Sequence, residues 1–213
     1  MACEEKRWCL ARNQTRDQLL DAGVKLFAEY NYDQVSNKMI TDIVEVNSAM
    51  VSYYFKSKEK FYQEVVRYSS DLIIDKFVKF QPSNLETATK DELIEYINWG
   101  LDVYLEAFFS NEGKKFAIIY QRNLINTNND ILKEYNRPID DVTSRYIRLF
   151  SVYYKKIEHP EINPVFTMIK IASLVYFMIL HEQTSEVLIP EQMSAMKDLK
   201  EMLLSSVVNV SSS

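Results

Sequence analysis

Glycine is nearly missing from this chain, with three residues in 213, and proline is scarce at five. Sandwiches and barrels turn on many more of both, so a β architecture is excluded and long helices are expected. The two cysteines, Cys3 and Cys9, lie too close together to staple distant parts, so a reduced chain is expected. Only two histidines occur, and no Cys/His cluster has the spacing of a metal site. His181-Glu182 opens like a zinc-protease signature, but Ser185 stands where the second histidine belongs. Neither a Gly-rich phosphate loop nor a Gly-x-Ser-x-Gly elbow is present. No catalytic residue, metal or cofactor is therefore expected, and the chain is not read as an enzyme. The greasiest run, Ile171 to Leu180, is ten residues against the ~20 of a membrane span. The first residues, with Glu4, Glu5, Lys6 and Arg7, lack a signal-type apolar core, so a cytoplasmic protein without a membrane partner is expected.

What is present fits helices. Hydrophobic residues make up 47%, enough for a real core, and the net charge is −5, which rules out a uniformly basic surface. Residues 1–62 hold nine Lys/Arg and nine Asp/Glu, so residues 63–213 carry the whole excess of negative charge. Leu19, Leu20, Val24 and Phe27 recur at helical spacing. Thr15-x-x-Gln18 reads as a capping box opening the first helix, and Asn31 as its left-handed terminator. Ser36 caps a short second helix, Asn47 a third ending near Phe55, and Ser57 a long fourth running to about Phe80, before Pro82. Two short helices about three residues apart form a helix-turn-helix unit. Further helices are expected after Thr89-x-x-Glu92, over 114–125, over 131–135 beyond a polar break at 126–129, from Pro138 to about 157, from Pro164 to about 186, and from Pro190 to about 208. The fold class is all-α: an N-terminal three-helix helix-turn-helix domain (1–62) and a larger C-terminal helical domain (63–213), with a boundary inside the fourth helix.

In a helix-turn-helix, one face of the recognition helix is buried and the other enters the major groove. Val46, Val51 and Phe55 are placed to bury. Asn47, Ser48, Ala49, Met50, Tyr53 and Tyr54 then face out, where they can bond phosphates or base edges or lie against a thymine methyl. Lys58, Lys38 and Arg16, near the starts of three helices, are candidate phosphate contacts.

Leu-Leu-Asp-Ala-Gly-Val-Lys-Leu-Phe-Ala-Glu (19–29), Tyr32-Asp33, Ile40, Val46, Tyr-Tyr-Phe (53–55) and Lys-Ser-Lys-Glu (56–59) together resemble the DNA-binding domain of the tetracycline-repressor (TetR) family. The resemblance covers roughly a quarter of the chain. It implies a double-stranded DNA operator, a small-molecule effector bound by the C-terminal domain, and a homodimer through the last two helices. Asn31, Glu45 and Ser52 depart from the family pattern, Glu45 by standing where the turn between the second and third helices usually has glycine.

The C-terminal region is rich in large aromatics, of which Trp99, Tyr120 and Tyr146 are the candidate ligand-lining residues. Arg122 and Arg145 are candidates to pair a ligand carboxylate or a neighbouring glutamate. The residues thus suggest a ligand-responsive transcriptional regulator, a repressor released from a palindromic operator by a lipophilic or aromatic effector. The alternative is a helical enzyme or small-molecule carrier that keeps the helix-turn-helix only as structure.

Overall fold

Side-chain caps set most helix starts in this computed structural model, which describes residues 2–125, 137–184 and 192–209, with side chains for 14–122, 140–182 and 196–209. The described residues form nine α-helices and a 3-10 turn, and none forms a strand. The helices are α1 (Ala2–Glu29), α2 (Asn37–Val44), α3 (Ala49–Phe55), α4 (Lys58–Phe77), α5 (Lys90–Phe109), α6 (Asn111–Ile125), α7 (Arg137–Lys156), α8 (Pro164–Thr184) and α9 (Gln192–Val208). The break expected at 126–129, the helix over 131–135, the cap before Pro190 and the tail 211–213 lie outside the described residues.

Ser36 Oγ accepts the Met39 N–H at 3.2 Å, Ser57 Oγ that of Lys60 at 3.1 Å, and Asn163 Oδ1 that of Val165 at 2.9 Å. Thr89 and Glu92 cap each other reciprocally, as a capping box requires. Three sequence expectations give way. Helix α1 begins at Ala2, so Thr15 lies in its interior: no glycine or proline in residues 2–14 interrupts it. Asn31 is extended (φ −69°, ψ 158°) rather than left-handed, and its N–H donates to Gln34 Oε1 across the 3-10 turn Tyr32–Gln34. Helix α4 stops at Phe77, after which the Phe80 N–H reaches back only three residues, to Phe77, as the chain tightens ahead of Pro82.

The chain divides into two compact units: residues 1–72 with 118–135, and residues 73–117 with 136–213. In the first, Leu19, Leu20, Val24 and Phe27 of α1 are buried with Ile40 of α2, Val51 and Phe55 of α3, Phe61 and Val65 of α4, and Ile119 of α6. Gly23 lets α1 and α4 come close, since a Cβ there would lie 2.5 Å from Val65 Cγ2 and 2.7 Å from Phe61 Cζ. Arg122 closes the end of α1. Its guanidinium donates to the carbonyls of Phe27 at 2.7 Å and Tyr30 at 2.9 Å, with Glu29 further off at 3.5 Å. It thus satisfies carbonyls that a helix end leaves without partners.

In the second unit, α5 packs against α7, α8 and α9, and α7 against α8. Its centre is aromatic. Phe80 stacks on Tyr146 at 4.5 Å and meets Trp99 edge-on at 5.1 Å, while Phe77 and Tyr104 also meet Tyr146. The 19-residue segment Pro164–Glu182 of α8 has a mean hydropathy of 1.6 in an 18-residue window, long and apolar enough to cross a membrane by length and composition alone. That exceeds the ten-residue run expected from the sequence, because Val165, Phe166, Met168 and Ile169 continue the apolar character on its N-terminal side.

Candidate nucleic-acid interface

Helix α3 is held from below by two side chains. Val51 and Phe55 are fully buried, contributing about 1.5–3 kcal/mol each by leaving water. Val46 is half-buried against the same core. Asn47, Ser48, Ala49 and Tyr53 are exposed, with Tyr53 at 60%. Met50 and Tyr54 sit between, half-buried against the core, and Tyr54 meets Tyr53 edge-on at 5.0 Å.

Both ends of α3 are fixed by unusual backbone. Glu45 closes α2 in the left-handed region (φ 57°, ψ 42°), and its N–H returns to the Thr41 carbonyl. A glutamate in this geometry costs about 1–2 kcal/mol relative to a glycine. Lys56 closes α3 at φ 69°. At the start, Asn47 Oδ1 accepts the Ala49 N–H at 2.9 Å, so the carboxamide oxygen serves the helix and its NH2 group points the remaining donors elsewhere.

The cations near this face are held loosely. Lys38 pairs with Asp42 at 3.7 Å, both groups well exposed, a contact worth little in water. The Lys58 ammonium lies 4.3 Å from the centroid of the Tyr32 ring, and that phenol's pKa is raised by burial and by Glu59 and Asp33. Arg16 is engaged more firmly, donating to Glu64 at 2.7 Å with its guanidinium 5.3 Å from the Phe55 ring centroid. Lys56 and Lys60 are exposed and bracket Lys58; their only signal in the sequence is the lysine-rich run that follows Phe55.

Seven exposed or half-exposed side chains on α3 and its cap, mostly hydroxyls and an amide, are flanked by lysines on α2 and α4. Residues 19–65, which carry all of these side chains but not Arg16, match the family model described as bacterial regulatory proteins, tetR family. Over this segment the chain is similar to the TetR family's DNA-binding domain. No curated protein matches the sequence. Solved structures match the chain along nearly its whole length. A HlyIIR variant carrying a linker with two thrombin sites aligns over 93% of this chain and 99% of its own, at 22% identity and a TM-score of 0.65. A protein described as a transcriptional regulator from Saccharomonospora viridis, solved with choline, aligns over 90% and 94% at 16% identity and 0.64. The fatty acid degradation regulator FadR from Bacillus halodurans aligns over 89% and 94% at 18% identity and 0.60. At these identities the likeness is one of fold: an N-terminal helix-turn-helix followed by a larger helical domain.

The three aromatics expected to line a ligand site part company. Trp99 and Tyr146 flank Phe80 in the second unit, whereas Tyr120 belongs to the first. Tyr146 is buried and donates its hydroxyl to the Gly100 carbonyl at 2.8 Å, and burial pushes its pKa well above the usual phenol range. Trp99 is 38% exposed. Among the described residues no three His, Cys, Asp or Glu side chains are grouped to hold a metal.

Proposed function

We propose that this chain is a regulator of the TetR family: a sequence-specific, ligand-responsive transcriptional regulator that binds a palindromic operator as a homodimer and represses until an effector releases it. Residues 1–62 form the DNA-reading domain and residues 63–213 the effector and dimerisation domain, and the protein works in the cytoplasm beside its DNA. The observation that carries this reading is the division within α3, with Val51 and Phe55 anchored and Tyr53, Asn47, Ser48 and Ala49 left outside. Tyr53, Tyr54 and the Lys38 and Lys58 ammonium groups contact phosphates; Asn47, Ser48 and Met50 meet base edges, with Ala49 allowing close approach. Arg16 reaches a phosphate by exchanging its bond to Glu64.

Dimerisation is supported by α8 and α9. Val165, Phe166, Ile169 and Phe177 form an exposed apolar face on α8, with Phe166 at 69%, and Met202 is exposed on α9. An apolar face of this size on a soluble chain calls for a cover, and a two-fold pairing also matches two α3 helices to two half-sites. The effector is a lipophilic or aromatic small molecule that contacts Trp99, which is exposed beside Phe80 in the second unit.

The test is fluorescence anisotropy with the full chain and palindromic duplexes from the DNA upstream of its own gene, at several salt concentrations. Tyr53→Ala with Lys58→Ala is expected to weaken binding at least tenfold and to flatten the salt slope by about one counterion per lost phosphate contact. Unchanged affinity and slope would remove these residues from the interface. A folded chain that binds no duplex but retains aromatic ligands would be a carrier instead.

A further inference from the structure

We propose that the second unit holds a binding site for a small carboxylate- or phosphate-bearing molecule in the groove between residues 81–85 and helix α7. The groove has a volume of about 360 Å³ and is lined by Gln81, Pro82, Asn84, Leu85, Arg145 and Arg148. That is room for a compact ligand. Arg145 and Arg148 are three residues apart on a helix, so both guanidinium groups emerge on one side.

Neither arginine is saturated. Arg145 makes a long bond of 3.3 Å to the Phe80 carbonyl, which occupies one of its five N–H donors. Arg148 reaches Glu86 only at 3.5 Å, with both side chains 68% exposed, a pair that water and salt largely cancel. Guanidinium keeps its charge at every working pH and matches the two oxygens of a carboxylate or phosphate. The opposite wall is shaped by Asn84, whose left-handed backbone (φ 56°) turns the chain so that its carbonyl accepts from Thr87 and Ala88. The Gln81 amide donates to the Val78 carbonyl at 3.2 Å, which leaves a second N–H. Pro82 and Leu85 supply an apolar wall for a short carbon skeleton. Such a paired cationic groove runs against the charge of its surroundings, since residues 63–213 carry the whole of the chain's negative excess.

The site is separate from the aromatic cluster around Trp99 yet joined to it by one residue. Arg145 holds the Phe80 carbonyl while the Phe80 ring lies on Tyr146 and against Trp99. An oxyanion that draws Arg145 toward itself loosens the hold on Phe80, so Trp99 emission reports its arrival. The inference does not depend on DNA binding.

The full chain is titrated with inorganic phosphate and, separately, with succinate, at ionic strength held constant with sodium chloride, following heat and tryptophan emission. Saturable binding with a dissociation constant near or below about 1 mM is expected for one of the two anions, and which one binds assigns the chemistry. Arg145→Gln with Arg148→Gln is expected to weaken it about tenfold or more, the loss of a charge-assisted contact. Glu86→Gln is expected to tighten it two- to threefold by removing the competing carboxylate (roughly the worth of an exposed ion pair). No saturation by either anion up to about 10 mM would overturn the proposal, as would equal binding by the double arginine variant. Should that variant fail to fold, an affinity unmoved by Glu86→Gln would overturn it on its own.

Discussion

Replacing Arg122 by alanine removes the group that closes α1, and the structure sets the size of the effect. Two short bonds disappear, at 2.7 Å to the Phe27 carbonyl and 2.9 Å to that of Tyr30; the 3.5 Å contact to Glu29 counts for little. Hydrogen bonds from a charged donor contribute about 1.5–3 kcal/mol each when dry, and the lower end applies because Arg122 is half-buried and the Tyr30 bond faces water. A cation at a helix C-terminus adds about 0.3–1 kcal/mol. Water can reach the exposed carbonyl once the side chain is gone, which returns part of the sum. The expected loss is about 2–3 kcal/mol for Arg122→Ala. Arg122→Lys keeps the charge but cannot fork between two carbonyls, so it should recover only about 1 kcal/mol of that. Urea unfolding followed by circular dichroism measures the totals, and amide exchange at residues 27–31 shows whether the loss is local. A loss below about 0.5 kcal/mol for alanine, or a lysine variant as stable as the parent, would refute the idea that a two-pronged donor closes this helix.

Glu45→Gly should stabilise the chain by about 0.5–1 kcal/mol in the same urea experiment, since relief of the left-handed strain outweighs the added freedom of the unfolded chain; destabilisation would show that Glu45 is not strained. Gly23→Ala should cost about 1–3 kcal/mol, because the new methyl meets Val65 and Phe61 well inside contact distance; a neutral result would mean α1 and α4 separate freely. Burial and the hydrogen bond to Asp21 push the Tyr68 phenol up to about 12. Since its folded pKa exceeds the unfolded one of about 10, this contribution is complete below pH 10 and is lost as pH rises from 10 to 12. Tyr68→Phe should flatten stability over that window, and an unchanged slope would clear Tyr68 of any part in alkaline unfolding.

The caps could be read from the sequence because they are local: Ser36, Ser57, Thr89 with Glu92, and Asn163 each satisfy an amide two or three residues away. The same locality misleads at Thr15-x-x-Gln18, whose pattern is the one a capping box would show but whose backbone is mid-helix. Asn31 fails for the opposite reason. What ends α1 is a guanidinium more than ninety positions along the chain, invisible to any local pattern. Val51 and Phe55 announce the buried side of α3 by helical spacing, and so its outward side follows. Arg16 and Lys38 do not announce that each already holds a carboxylate, Glu64 and Asp42. Tyr146 likewise reads as an aromatic that could face a ligand, and only its bond to the Gly100 carbonyl and its stack on Phe80 show it built into the core.

The two left-handed residues that bracket α3 give it an evolutionary property. With Glu45 and Lys56 fixing entry and exit, and Val51 and Phe55 seating it with help from Met50 and Tyr54, the segment works as an interchangeable cassette. Its outward letters can be rewritten without renegotiating the fold beneath. On the proposed function, a lineage can therefore drift to a new recognition sequence through single surface substitutions, while the frame that presents them stays unaltered.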